Sequence, residues 1–149
     1  LFFLGILLAV SSLATAGHLT QVAAALKDSL GNVYAINLAI GLLSSVVDNV
    51  PLVAGAMKMY PLVDAPTLAA ASSDGAWLSN FVADGTFWEL LAYCAGTGGS
   101  CLIIGSAAGV AAMGMEKIDF IWYLKKISGL ALLGYLAGAA TYIGIASLG

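Results

Sequence analysis

The sequence predicts an all-α membrane fold in which one pair of short helices forms a re-entrant hairpin and one transmembrane helix is broken in its middle. Three observations predict it. The 149-residue chain is 61% hydrophobic and only 9% charged, whereas a soluble domain carries about 25% charged residues. Long apolar runs recur along it, separated by short polar stretches. Two of those runs are interrupted, at Ser44–Pro51 and at Gly96-Thr97-Gly98-Gly99-Ser100. The net charge of −3 and the absence of a basic patch give no footprint for nucleic acid.

Taken in order, residues 1–16 are a nearly unbroken apolar run, read as the end of a transmembrane helix. Leu1 stands inside the run, so a fragment of a longer chain is expected. Gly17-His18 ends the run, and His18 is read as a solvated residue at a helix end. Residues 19–30 set Gln21, Lys27 and Asp28 along one side of an interfacial amphipathic helix. Residues 33–63 contain two apolar limbs of about 12–15 residues each, too short to cross a bilayer core that takes about 20. Pro51 removes a backbone donor and disfavours helix at Asn49 and Val50. A hairpin that enters, turns at Asp48-Asn49 and leaves on its own side satisfies both constraints.

Residues 64–86 read as a polar loop, through Pro66, Ser72-Ser73-Asp74-Gly75, Ser79-Asn80 and Asp84-Gly85, with Trp77 and Phe81 as anchors at the headgroup level. Residues 87–115 read as one broken transmembrane helix, because each glycine weakens a helix by about 1 kcal/mol relative to alanine. Unwound backbone at that depth survives only beside protein or a polar cavity. A phosphate-binding loop would need a Gly-Lys-Ser/Thr ending that is missing here. Cys94 and Cys101 are expected as small packing residues rather than a disulfide or a metal site. Residues 116–128 form an interfacial connector in which Glu116, Lys117, Asp119, Lys125 and Lys126 accompany Trp122 and Tyr123. Residues 129–148 are a last span, with Gly134, Gly138 and Gly144 offering small faces. Lys117, Lys125 and Lys126 then share one side, which the positive-inside tendency assigns to the cytoplasm.

Two interruptions within apolar helices mark where a midplane binding site is expected. The first offers Ser44, Ser45, Asp48 and Asn49; the second offers Thr97 and Ser100, with Ser106 further on. All are oxygen donors, suited to a hard cation such as sodium and unsuited to a transition metal. Sodium is expected at Asp48, Asn49, Thr97 and Ser100, while Pro51, Gly96, Gly98 and Gly99 shape the backbone as hinges. Asp48 is read as the only acid at membrane depth. Burial favours a neutral carboxyl and a neighbouring cation favours the ionised one, so a single carboxylate can hold either a proton or a sodium ion. The competing reading makes Asp48 the N-cap of the second limb and bonds the serines to their own preceding turn. An intramembrane aspartyl pair of Asp48 and Asp84 is disfavoured, because Asp84 falls in the polar loop.

Ser44-Ser-Val-Val-Asp-Asn-Val-Pro-Leu-Val-Ala54, with Gly96-Thr-Gly-Gly-Ser-Cys-Leu-Ile-Ile-Gly-Ser-Ala-Ala-Gly-Val-Ala-Ala-Met-Gly114, resembles the NhaD-type sodium/proton antiporters of the ion transporter superfamily. Phe120-Ile-Trp-Tyr-Leu-Lys-Lys126 is similar to that family too. The resemblance implies the C-terminal half of an inverted-repeat transporter roughly three times as long, whose missing N-terminal repeat supplies about half of the ligands. Residue by residue, it carries the ion site onto Ser44, Asp48, Asn49, Thr97, Ser100 and Ser106; Ile103 stands where a further serine is expected in some relatives. It implies exchange of sodium or lithium for protons, with no cofactor and no enzymatic reaction. It also implies a multi-pass protein of a bacterial plasma membrane, embedded in the lipid bilayer as a homodimer. The alternative within the superfamily is an arsenite or dicarboxylate carrier, whose anion an aspartate at the tip would repel.

Overall fold

The computed structural model describes residues 2–71 and 73–148, without the side chains of Phe2 and Phe3. Leu1, Ser72 and Gly149 lie outside the described residues, and with them the first residue of the expected 1–16 helix and one serine of the expected loop. The regular elements are all helical: α1 (Phe2–Thr15), α2 (His18–Leu30), α3 (Val33–Leu43), α4 (Asn49–Met59), α5 (Ala65–Ala70), α6 (Gly75–Leu78), α7 (Thr86–Gly98), α8 (Ala107–Glu116), α9 (Phe120–Lys126) and α10 (Ser128–Leu148). Single 3₁₀ turns lie at Ser79–Phe81, Gly99–Cys101 and Ile103–Gly105.

Helix starts are written in short polar side chains. Asn32 accepts the Tyr34 N–H at 2.8 Å, Asp64 that of Thr67 at 3.0 Å, and Asp119 that of Trp122 at 3.1 Å. Such caps satisfy donors that a first turn leaves unpaired, so Asp64 and Asp119 serve local structure. Between α1 and α2 the chain turns at Gly17, whose φ of 79° is open to glycine at no steric cost. The two helices are bent by 72° at this point. Among the described residues, α10 is the one helix long and apolar enough to cross a membrane alone, and α1 with α2 meets the same test only as a bent pair.

Three helices form the central layer. Val33 and Ile36 in the first half of α3 share a cluster with Phe87 at the start of α7, while the Ser44 hydroxyl bonds Ala95 near the other end of α7, so α3 and α7 run in the same direction. α10 runs against them: its Tyr142 reaches Glu89, and its Tyr135 carbonyl accepts the Tyr93 hydroxyl at 3.1 Å. The Tyr135 hydroxyl in turn donates to the Leu38 carbonyl at 2.9 Å, tying α10 to α3. Beyond the turn at 44–48, α4 packs chiefly on α1 and α2 rather than along α3. Its C-terminal Tyr60 stacks on Phe81 at 5.1 Å and sits 4.9 Å from Phe87, in one cluster with Val33, Ile36 and Ile40.

Three expectations are corrected. Phe81 is not a headgroup anchor: it is 3% exposed and belongs to the aromatic cluster around Tyr60, which removes far more apolar area from water than an interfacial position would. The polar stretch at 64–86 is only partly loop, because Asp64 and Pro66 start α5 and a second short helix follows. The glycine-rich link is not unwound where expected. Helix α7 continues through Gly96, Thr97 and Gly98, and extended backbone comes later, at Leu102 and Ser106. The reason is packing: Gly98 lies against the Gly41 carbonyl, where any Cβ would collide. The glycine serves a close helix–helix approach rather than a break.

Candidate functional site

The turn after α3 and the 3₁₀ segment after α7 meet. Ser44 is fully buried and donates from Oγ to the Ala95 carbonyl at 2.9 Å, joining the turn to the last part of α7. Ser45 behaves differently, bonding Leu42 in its own turn at 2.6 Å. The competing reading of two back-bonded serines is therefore right for Ser45 and wrong for Ser44. Around Gly105 the carbonyl oxygens of Gly99, Ser44 and Ser45 converge, 2.6, 2.6 and 2.7 Å from the place a Cβ would take. Only glycine allows this approach. Among the described residues, the Ser44 and Ser45 carbonyls accept no hydrogen bond. A buried carbonyl without a donor is costly, and water or a hard cation satisfies it.

Asp48 lies half-buried on the α4 side of the turn, with its carboxylate accepting the Val50 N–H at 3.1 Å. It thus caps α4, and one oxygen lone pair is spent on that bond while the rest remain open. Asn49 opens α4 and lines a cavity of about 380 Å³ with Val50, Val53, Ala54 and Met57. Pro51 does not keep Asn49 and Val50 out of the helix as expected: it falls in the first turn of α4, where a missing N–H costs nothing. A second cavity of about 340 Å³ opens beside the turn, lined by Ser45, Cys101, Leu102 and Ser128 among others. Cys94 and Cys101 are buried and free.

The remaining expected residues are spread more widely. Thr97 Oγ1 bonds the Tyr93 carbonyl in its own helix at 2.7 Å. Ser100 has an exposed side chain, while its carbonyl accepts the Tyr123 hydroxyl at 2.8 Å, tying α9 to the segment after α7. Ser106 caps α8 by accepting the Gly109 N–H at 3.0 Å. The convergence is therefore between backbone carbonyls of Ser44, Ser45 and Gly99 more than between the hydroxyls of Thr97, Ser100 and Ser106. Among the described residues no group of three or more His, Cys, Asp or Glu gathers, so the donor set is hard oxygen from main chain, hydroxyl, amide and one carboxylate.

Two features escaped the sequence reading. Asn37 is fully buried in α3, donates to Val33 at 3.2 Å, and leaves its Oδ1 without a partner among the described residues. Glu89 lies in the first turn of α7, inside the span read as the broken helix, so Asp48 is not the only acid there. As the single charge between Asp84 and Glu116, Glu89 was visible in the sequence.

These features define a class: an apolar, all-helical chain with two helix interruptions that meet at a set of oxygen donors. The chain is 52% identical, over 99% of its length, to a protein of Arabidopsis thaliana named sodium/proton antiporter 1, of which it covers 23%. It is 48% identical over 97% of its length to sodium/proton antiporter 2 of the same plant, covering 31% of that protein. With the Na(+)/H(+) antiporter NhaD of Vibrio cholerae it shares 37% identity over 96% of its length, covering 26%. Over nearly its whole length the chain is thus homologous to sodium/proton antiporters, NhaD-type proteins among them. It spans between 23% and 31% of the length of these curated relatives. Plant relatives match more strongly than the bacterial one, so the similarity does not single out a bacterial membrane. No family model and no solved structure matches the chain.

Proposed function

We propose that the chain is the C-terminal repeat of an inverted-repeat membrane antiporter that exchanges sodium or lithium for protons. On this reading α3, the turn and α4 are the re-entrant hairpin, and α7 with α8 is the broken transmembrane helix. The observation that carries the reading is the meeting of the two interruptions, with Ser44 bonded to Ala95 and the Ser44, Ser45 and Gly99 carbonyls converging on Gly105. Oxygens held by two separate elements suit a cation that must be bound and released as those elements move. Asp48 is the exchangeable ligand, taking a proton or a sodium ion, with Asn49 and hydroxyls beside it as neutral ligands. The missing N-terminal repeat supplies the rest of the site, a homodimer is the working assembly, and the bilayer surrounds it. Relatives named for sodium/proton exchange support the cation over an arsenite or dicarboxylate anion.

The test places the full-length protein in acid-loaded liposomes and adds sodium outside. Sodium-dependent alkalinisation of the lumen is the expected result. Proton movement driven by arsenite or a dicarboxylate, and none driven by sodium, would overturn it.

A further inference from the structure

We propose that the corner between α9 and α10 binds an anionic glycerophospholipid, with lysines at its mouth taking the headgroup phosphate and an apolar groove along α10 taking an acyl chain. The inference rests on α10 crossing a membrane and not on sodium/proton exchange.

The cations of this chain gather at one place. Residues 116–126 hold three of its five, Lys117, Lys125 and Lys126, against two of its eight acids. One of those acids, Asp119, is engaged as the cap of α9, accepting the Trp122 N–H at 3.1 Å. All three lysines are exposed, and Trp122 stands between them. Its half-exposed ring shares a cavity of about 340 Å³ with Lys117. Lys125 and Lys126 follow it by three and four residues, the helical spacing of side chains on one face. An indole with ammonium groups suits the level of the lipid headgroups. The chain path puts them there: Lys126 comes two residues before Ser128, the first residue of the 21-residue helix α10. A hydrocarbon core takes about 20 helical residues.

Beyond the lysines the surface of α10 is open and apolar. Gly129, Leu132, Leu133, Leu136 and Ala137 line a groove of about 530 Å³. From Gly129 to Ala137 it follows about 12 Å of helix at a rise of 1.5 Å per residue. Leu133 is 67% exposed and a Cβ on Gly129 would meet nothing within 4 Å, so no described residue fills the groove. Gly129 and Leu132 also line the cavity that reaches Ser45, together with Leu124 of α9. The groove is therefore continuous from the lysine-bearing helix into the span.

Charge and shape together select the occupant. A membrane helix from the rest of the protein matches the leucines and leaves the lysines without a counter-charge. A soluble anion matches the lysines and leaves the groove empty. A molecule with a phosphate at one end and an apolar chain at the other matches both. Each lysine near an anionic bilayer surface strengthens the association about fivefold.

The experiment uses the full-length protein in phosphatidylcholine vesicles, with brominated phosphatidylglycerol or brominated phosphatidylcholine titrated in to quench tryptophan fluorescence. The difference between the native protein and Trp122→Phe isolates the Trp122 signal. Half-quenching of that signal is expected at a severalfold lower mole fraction of the anionic lipid than of the neutral one. Lys125→Gln and Lys126→Gln are each expected to raise that mole fraction of phosphatidylglycerol about fivefold, and added salt to raise it too. Gly129→Leu keeps the charges and fills the groove with a better helix former; it is expected to keep the native melting temperature and lose the preference for the anionic lipid. Equal quenching by the two lipids in the native protein would overturn the proposal, as would a native titration in both lysine variants or in Gly129→Leu. An unquenched Trp122 would overturn it as well, by showing that the rest of the protein covers the corner. Glycerol phosphate, a headgroup without a chain, is expected to leave the quenching unchanged; displacement by it would make this a site for soluble phosphate and overturn the lipid. Flotation with the vesicles checks the membrane placement, and a protein that does not float would sink that placement and the site together. A protein that shows the lipid preference and moves no protons on sodium addition would overturn the exchange reading alone.

Discussion

Gly98 of α7 lies against the backbone carbonyl of Gly41 in α3, with no room for a Cβ between them. Two residues earlier, Gly96 is also helical and faces nothing within 4 Å. Glycines so close in sequence therefore have opposite uses. Gly98→Ala forces two backbones apart and is expected to destabilise by about 1–3 kcal/mol. Gly96→Ala removes backbone freedom from the unfolded chain at no steric cost and is expected to stabilise by about 0.5–1 kcal/mol. Denaturant unfolding of both variants in detergent checks this; effects of the same sign would contradict the packing.

Ser44 and Ser45 are neighbours with different partners, one across to α7 and one within its own turn. Ser44→Ala is expected to cost about 1 kcal/mol, the net worth of a buried hydrogen bond, and to loosen the turn from α7. Ser45→Ala keeps the turn docked. Amide exchange at Val46 and Val47 separates them: faster exchange in Ser44→Ala and native exchange in Ser45→Ala are expected.

Asp64 gives a pH dependence away from the membrane helices. Its hydrogen bonds from the Thr67 side chain and backbone hold the carboxyl below the usual carboxylate range. A folded-state value below the unfolded one means that the cap's stabilisation is full above the unfolded pKa of about 4. It is lost as pH falls through the folded value. Helix α5 is therefore expected to fray on acidification, seen as faster amide exchange over Ala65–Ala70. Asp64→Asn, a cap without a titrating charge, is expected to remove that dependence.

Lys117 ends α8 with φ 51°, in the left-handed region, where a side chain costs about 1–2 kcal/mol. Lys117→Gly is expected to raise the melting temperature, and an unchanged or lower value would contradict the strain.

The local elements were legible because their signals are local. The start of α3 follows the break at Gly31-Asn32, whereas Asn49 and Val50, expected to stay out of the helix ahead of Pro51, form the first turn of α4, because a proline there gives up no intrahelical bond. The break after α7 was misplaced because glycine has two physical uses that look alike in sequence. Gly98 owes its place to Gly41, a contact between distant residues that no periodicity records. Phe81 was misread for the same reason: its partners Tyr60 and Phe87 are brought to it by the fold. In the candidate site, Asp48 and Asn49 stand out by type in an apolar run. The carbonyls of Ser44, Ser45 and Gly99 carry no sequence signal, since every residue has one. Glu89 had a signal, and the weight given to Asp48 hid it.

The central claim, that Asp48 is the exchangeable cation and proton ligand rather than only the cap of α4, is tested most directly by Asp48→Asn. Asparagine caps a helix about as well as aspartate, so the bond to Val50 is kept while the titrating charge is removed. The measurement is sodium-driven proton release from liposomes holding the full-length variant, beside its melting temperature. A native-like melting temperature with exchange abolished is the predicted result. Undiminished sodium-dependent proton release in Asp48→Asn would contradict it and leave Asp48 as a cap alone.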